Sequence, residues 1–156
     1  MTPDFAGVID RNTWAGRSGA WTPDPAQLDC LWHAGYFPGP VRIDAGIHPR
    51  GAPETATRLH LSERGRPDAG YTLLARHTWA GRTVDLELAY AGRAVARGTA
   101  QVASGRPYAL GLQRCGADLC ATVDRKGILA WRDSRERPEL CAPGLVAWRR
   151  SSMDGV

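Results

Sequence analysis

Residues 106–133 read RPYALGLQRCGADLCATVDRKGILAWRD, and this stretch decides the fold class. With Cys115-Gly116 as a two-residue turn, Leu112 faces Leu119, Leu110 faces Ala121 and Tyr108 faces Val123. The alternate positions pair Gln113 with Asp118, Gly111 with Cys120 and Ala109 with Thr122. Successive side chains of a strand point to opposite faces, so this division predicts an antiparallel hairpin with one face on a core and one in water. Leu110, Leu112 and Val123 belong to the core side and Gln113 to the other. A second turn over Asp124-Arg125-Lys126-Gly127 returns the chain through Ile128 to Trp131, which makes a three-stranded meander.

The same period extends outward in both directions. Upstream, Val41, Ile43, Ala45 and Ile47 alternate with Arg42, Asp44, Gly46 and His48. Leu59 and Leu61 alternate with Arg58, His60 and Ser62, and Val84, Leu86 and Leu88 with Asp85, Glu87 and Ala89. Leu28 to Tyr36 begins the strand series, the segment 65–70 (GRPDAG) reads as a turn, and Tyr71 to Trp79 as a strand. Downstream, 144–149 (GLVAWR) supplies a closing strand, with Trp131 and Trp148 in the core and Trp32 able to be in or out. Ten or more short strands separated by Gly and Pro signals predict an all-β, two-sheet antiparallel β-sandwich. A chain of 156 residues is expected to form one domain over 1–156 and to bury a sizeable core unaided.

The 18 Gly and 11 Pro are scattered as turn punctuation. The basic residues are 19 Arg and one Lys, spread from Arg11 to Arg150, with a net charge of +4. Nucleic-acid binding wants that charge gathered on one stripe, so it is not expected. No run approaches the roughly 18 to 20 apolar residues of a membrane-spanning helix. The opening MTPDFAGVID has an early acid and no apolar core, so no signal peptide is expected. The chain reads as cytoplasmic as it stands, or as a module of an exported protein.

The order of pieces resembles the concanavalin A-like lectin/glucanase superfamily, including laminin G-like jelly-roll modules. Asp4-Phe5, Trp14 and Gly19-Ala20-Trp21 resemble its "DF…W…G.W" opening, Val41 to Ala45 its "frveA" strand and Ala69-Gly70-Tyr71 its "gGY" entry. Gly92 to Ala96 is similar to "G..lA", Tyr108 to Asp124 to "y.l.l...G..l.v.vDG", Ala130 to Asp133 to "..w.D", and Pro143 to Val146 to "G.vGl". The resemblance implies a jelly roll with a concave and a convex sheet, whose concave face or rim loops often bind glycans. It also implies that a rim calcium at Asp124 or Asp133 is possible, against the ordinary role of a turn Asp in capping its own backbone. The glucanases place their acids in a longer E-x-D-x-x-E strand; here only Asp85-x-Glu87 stands.

Candidate chemistry follows from the polar faces. Asp85 and Glu87 project from one face about 7 Å apart, so they could act as nucleophile and acid for glycoside hydrolysis or simply face solvent. Arg42, Asp44 and His48, if their strand neighbours that of Arg58, His60 and Ser62, could hold a carboxylate and place His60 as the base of a polysaccharide lyase. Tyr71, His77 and Trp79 could offer rings for a sugar to stack on. The ligand-binding set is therefore Arg42, Asp44, Arg58, His60, Tyr71, His77, Trp79, Asp85 and Glu87; the catalytic set, were this an enzyme, is Asp85, Glu87 and His60. Scattered histidines and the lack of C-x-x-C spacing argue against zinc, and no cofactor is expected beyond the possible calcium. If disulfides form, Cys115 or Cys120 should pair with Cys30 or Cys141 and not with each other. The expected function is a non-catalytic carbohydrate-binding or adhesion-type module with a glycan partner; the alternatives are a glycan-cleaving enzyme, then a structural or interaction domain.

Overall fold

The computed structural model describes residues 21–23, 30–33, 35–47, 54–78 and 82–149. Trp79 and His48 lie outside them, as do the opening motif up to Ala20 and the side chains of Cys30 and Trp148. Among the described residues there are eleven strands: β1 (Trp21–Pro23), β2 (Cys30–His33), β3 (Val41–Ile47), β4 (Glu54–Glu63), β5 (Arg66–Thr78), β6 (Thr83–Tyr90), β7 (Arg93–Gln101), β8 (Tyr108–Cys115), β9 (Asp118–Val123), β10 (Lys126–Arg132) and β11 (Ala142–Arg149). They form a seven-stranded sheet in the order β1-β2-β11-β4-β5-β6-β7 and a four-stranded sheet in the order β10-β9-β8-β3, every pairing antiparallel. The two sheets make the all-β sandwich expected of a jelly roll.

The core lies where the period-2 pattern puts it. Leu59, Leu61, Leu73, Leu86 and Leu88 of the larger sheet meet Ile43, Leu110, Leu112, Leu119 and Val123 of the smaller one. Gln113 is exposed. Trp131 is half-buried against the core and not within it.

The central hairpin differs from expectation in register. Leu110 pairs Val123, Leu112 pairs Ala121 and Arg114 pairs Leu119, so the turn is Gly116-Ala117 and the strands slide by two residues. Gly116 takes φ 60°. That is the left-handed first position of a type II′ turn, which a Cys at that place would strain. A slide of two keeps every side chain on its face, so the core assignment survives the wrong register. The next turn is shorter than expected: Val123 pairs Lys126, leaving only Asp124 and Arg125 in it, both at positive φ (49° and 65°). Such a pair fits a type I′ turn, and Gly127 instead begins a bulge in β10. The supposed turn over 65–70 is mostly strand, because Arg64-Gly65 alone reverses the chain and β5 begins at Arg66.

Two side chains the polar pattern missed tie the sandwich together. Arg114 shares the inward parity of Leu110 and Leu112 and is 2% exposed. It donates to the carbonyls of Leu140, Arg137 (3.2 Å), Phe37 (2.6 Å) and Gly39 (3.0 Å), and so joins two loops at one end of the molecule. Asp133 is also buried; it accepts from the Tyr71 hydroxyl at 2.6 Å and from Arg137 Nε at 2.6 Å. Burial alone would raise this carboxyl, but the bonds from Arg137, Tyr71 and Ser134 outweigh it and hold it well below the usual carboxylate range. Arg137 in turn lies 4.4 Å from the centre of the Tyr90 ring.

Candidate functional site

The outer face of the seven-stranded sheet carries most of the chemistry. Strand registry sets Ala56, Arg76, Asp85 and Thr99 in one row across β4 to β7, Arg58, Leu74, Glu87 and Arg97 in the next, and His60, Thr72 and Ala89 in the one after. Arg76, Asp85, Glu87, Arg97, Thr99 and Leu74 line a shallow depression of ≈ 370 Å³. Within it Arg97 Nε donates to Glu87 Oε2 at 2.8 Å and Thr99 Oγ1 donates to Asp85 Oδ1 at 2.9 Å. Each carboxylate is thus already held by a donor from β7, while Arg76 stands opposite Asp85 on β5.

Farther along this face His60 is buried, not exposed as its alternation with leucine suggested. Its Nδ1 lies 2.9 Å from Thr72 Oγ1 and its ring 6.4 Å from that of Trp32, itself buried. Trp32 can lie flat here because Gly144 beneath it has no side chain; a Cβ there would come within 2.8 Å of the indole. Burial pushes the His60 ring down to about 4, with Asp68 opposing and Arg58 adding to the shift. A neutral, covered imidazole is poorly placed to take a proton from a substrate.

The remaining expected residues are distributed elsewhere. Arg42 and Asp44 lie on β3, which pairs β8 in the four-stranded sheet and does not neighbour β4, so they face away on the opposite side of the sandwich. There Arg42 Nε is 2.8 Å from Asp44 Oδ2. The lyase constellation of Arg42, Asp44 and His60 is therefore not assembled. Tyr71 and His77 share the parity of Leu73 and Ala75, and both point into the sandwich, where His77 meets Tyr108 edge-on at 5.6 Å. Of the two rim acids, Asp133 is saturated as described above, and Asp124 accepts the Ala109 N–H at 2.9 Å, capping the hairpin. Among the described residues no cluster of three or more His, Cys, Asp or Glu could hold a metal. Cys115, Cys120 and Cys141 are free thiols, so neither of the first two pairs with Cys141. Arg76 and Arg97 were not singled out from the sequence: pairing the strands across Ala80-Gly81 sets Arg76 beside Asp85, but pairing across Ala91-Gly92 sets Arg97 opposite Leu86, and only the register shift between Leu88 and Ala89 brings it to Glu87.

No protein-family model matches the chain, and no curated protein matches it in sequence. Solved structures do match in shape. LamA from Zobellia galactanivorans, in complex with laminaritriose and laminaritetraose, superposes with a TM-score of 0.55 at 12% identity over 76% of this chain and 57% of its own. A Bacillus licheniformis β-glucanase gives 0.53 at 9% identity over 85% and 64%. The laminarinase from Rhodothermus marinus gives 0.54 at 14% identity over 76% and 57%. The chain spans less than two thirds of each of these proteins, and the likeness is one of fold.

Proposed function

We propose that this chain, which has the concanavalin A-like jelly-roll fold, is a non-catalytic carbohydrate-binding module whose glycan lies over Asp85, Glu87, Arg76 and Arg97. The observation that carries the reading is the company of the two acids. Hydrolysis needs two carboxyl groups on either side of the scissile bond. Here the residues that flank Asp85 and Glu87 on the adjoining strands are Arg76, Leu74, Arg97 and Thr99, with no further acid among the lining residues. Planar guanidinium and carboxylate groups fixed side by side match the paired hydroxyls of a sugar, and Leu74 gives an apolar floor. Arg58 extends the row, and Trp79, in the connection between β5 and β6, is the candidate stacking ring.

The competing reading is a glycan-cleaving enzyme. It draws on the single-face Asp85 and Glu87 pair and on the glucanases that share the fold. Laminari-oligosaccharides are the first ligands to try for the same reason. On a glycan array with reducing-end release measured on every hit, we expect binding without release, and about ten-fold weaker binding by Arg97→Ala. Release that disappears in Glu87→Gln and Asp85→Asn would instead establish the enzyme.

A further inference from the structure

Tyr36 and Phe37 are the large hydrophobic residues left exposed among the described residues, at 59% and 37%. They sit in the loop 35–40, GYFPGP, which follows β2, and this loop is held with unusual thoroughness. The Phe37 N–H donates to the Cys141 carbonyl at 2.8 Å, and buried Arg114 grips the Phe37 and Gly39 carbonyls. Both rings are supported from behind. The Arg64 guanidinium lies 4.8 Å from the Tyr36 ring centre and is fixed by a 2.6 Å bond to the His33 carbonyl. The His33 ring lies 5.2 Å from that of Phe37, and its Nδ1 accepts the Gly35 N–H at 2.9 Å.

Apolar rings normally gain by turning inward, and a loose loop would let them. Here the backbone is clamped so that they cannot. We propose that Tyr36 and Phe37 form a preorganised stacking platform for a neutral saccharide ring, a second contact separate from the Asp85 and Glu87 depression; it rests on the reading that this module binds glycans. The size of the patch selects the ligand. Two rings expose on the order of 200 Å², against about 800 Å² per partner in a stable protein interface, so the patch suits a sugar ring and not a protein. The charges nearby are of both signs, with Glu63 and Arg66 paired at 2.8 Å in the adjoining turn, which suits hydroxyls more than an anion. Four strand spacings separate β2 from β6, roughly 19 Å across the sheet, and Arg64, against which Tyr36 lies, is six residues on from Arg58 in the row of Glu87, roughly 20 Å along the strands, so the two places are about 28 Å apart. A long oligosaccharide can engage both places, and two linked contacts bind more tightly than either alone.

The test compares the wild type, Tyr36→Ala/Phe37→Ala, Tyr36→Phe and Glu87→Gln/Arg97→Ala on neutral β-glucan, xylan and mannan oligosaccharides of two to six residues. Circular dichroism checks folding, and sedimentation velocity checks self-association. The platform predicts about ten-fold weaker binding of hexasaccharides by the double alanine variant, little change on disaccharides, and retention by Tyr36→Phe. Wild-type affinity in the folded double alanine variant overturns the platform; if the depression variant alone loses binding, the module reading stands without it. A wild type that binds none of the sugars removes both readings. A change in self-association in place of sugar binding makes the rings a protein contact and rejects the proposal.

Discussion

Arg114 shows what one buried cation can organise. Among the described residues its hydrogen bonds go to four backbone carbonyls from two loops and to no carboxylate. Replacing it with Met of similar length leaves those carbonyls without donors inside the protein. We expect a cost of about 3 kcal/mol or more in a denaturant titration, with new protease cleavage in 35–40 and 134–141. His60 gives a second prediction, on pH. Its ring titrates at about 4 in the fold against 6.5 when unfolded, so between those values the unfolded chain binds more protons. Stability should therefore be full above pH 6.5, fall by about 3 kcal/mol as pH drops towards 4, and level off below. His33, also lowered by burial, adds a smaller slope of the same sign. Asp133, held below 3.8, loses its contribution only in more acid solution, so the two effects occupy different windows. Urea titrations from pH 4 to 7 should show the slope largely flattened in His60→Gln; an unchanged slope would assign it elsewhere.

At the scale of strands, faces are far more robust than registers. Leu112 and Gln113 are neighbours in β8 with opposite fates, one in the core and one in water. Leu112→Ala should cost about 2–5 kcal/mol because the cavity cannot close between two sheets, and Gln113→Ala should stay within about 0.5 kcal/mol. Equal losses in the two variants would contradict the packing. The alternation of Leu110, Leu112, Leu119, Ala121 and Val123 was legible because parity is a property of each strand alone. The pairing was not, because it depends on which residue takes positive φ, and Gly116 serves as the first turn residue where the second had been expected. In β5 the same parity rule separates the two faces. Arg76 marks the outward positions there, so Tyr71 and His77, on the other parity with Leu73 and Ala75, belong inside.

For the whole molecule, what the chain sequence leaves open is the allotment of strands to sheets. Period two says that Arg42, Asp44, Asp85 and Glu87 all lie on polar faces, yet nothing local tells whether those faces coincide. β3 crosses to the smaller sheet, and so Arg42 and Asp44 look out of the opposite side from Asp85 and Glu87. The same topology governs how the protein can be made. β11, translated after the other ten strands, is inserted between β2 and β4. Until it leaves the ribosome β4 has a bare edge, and β1 and β2 have no sheet to join. The Arg114 clamp waits on the loop just before β11, since two of its acceptors are the carbonyls of Arg137 and Leu140. Completion of the larger sheet therefore waits for β11, and a nascent chain stalled before it would display an open strand edge to every other chain around it.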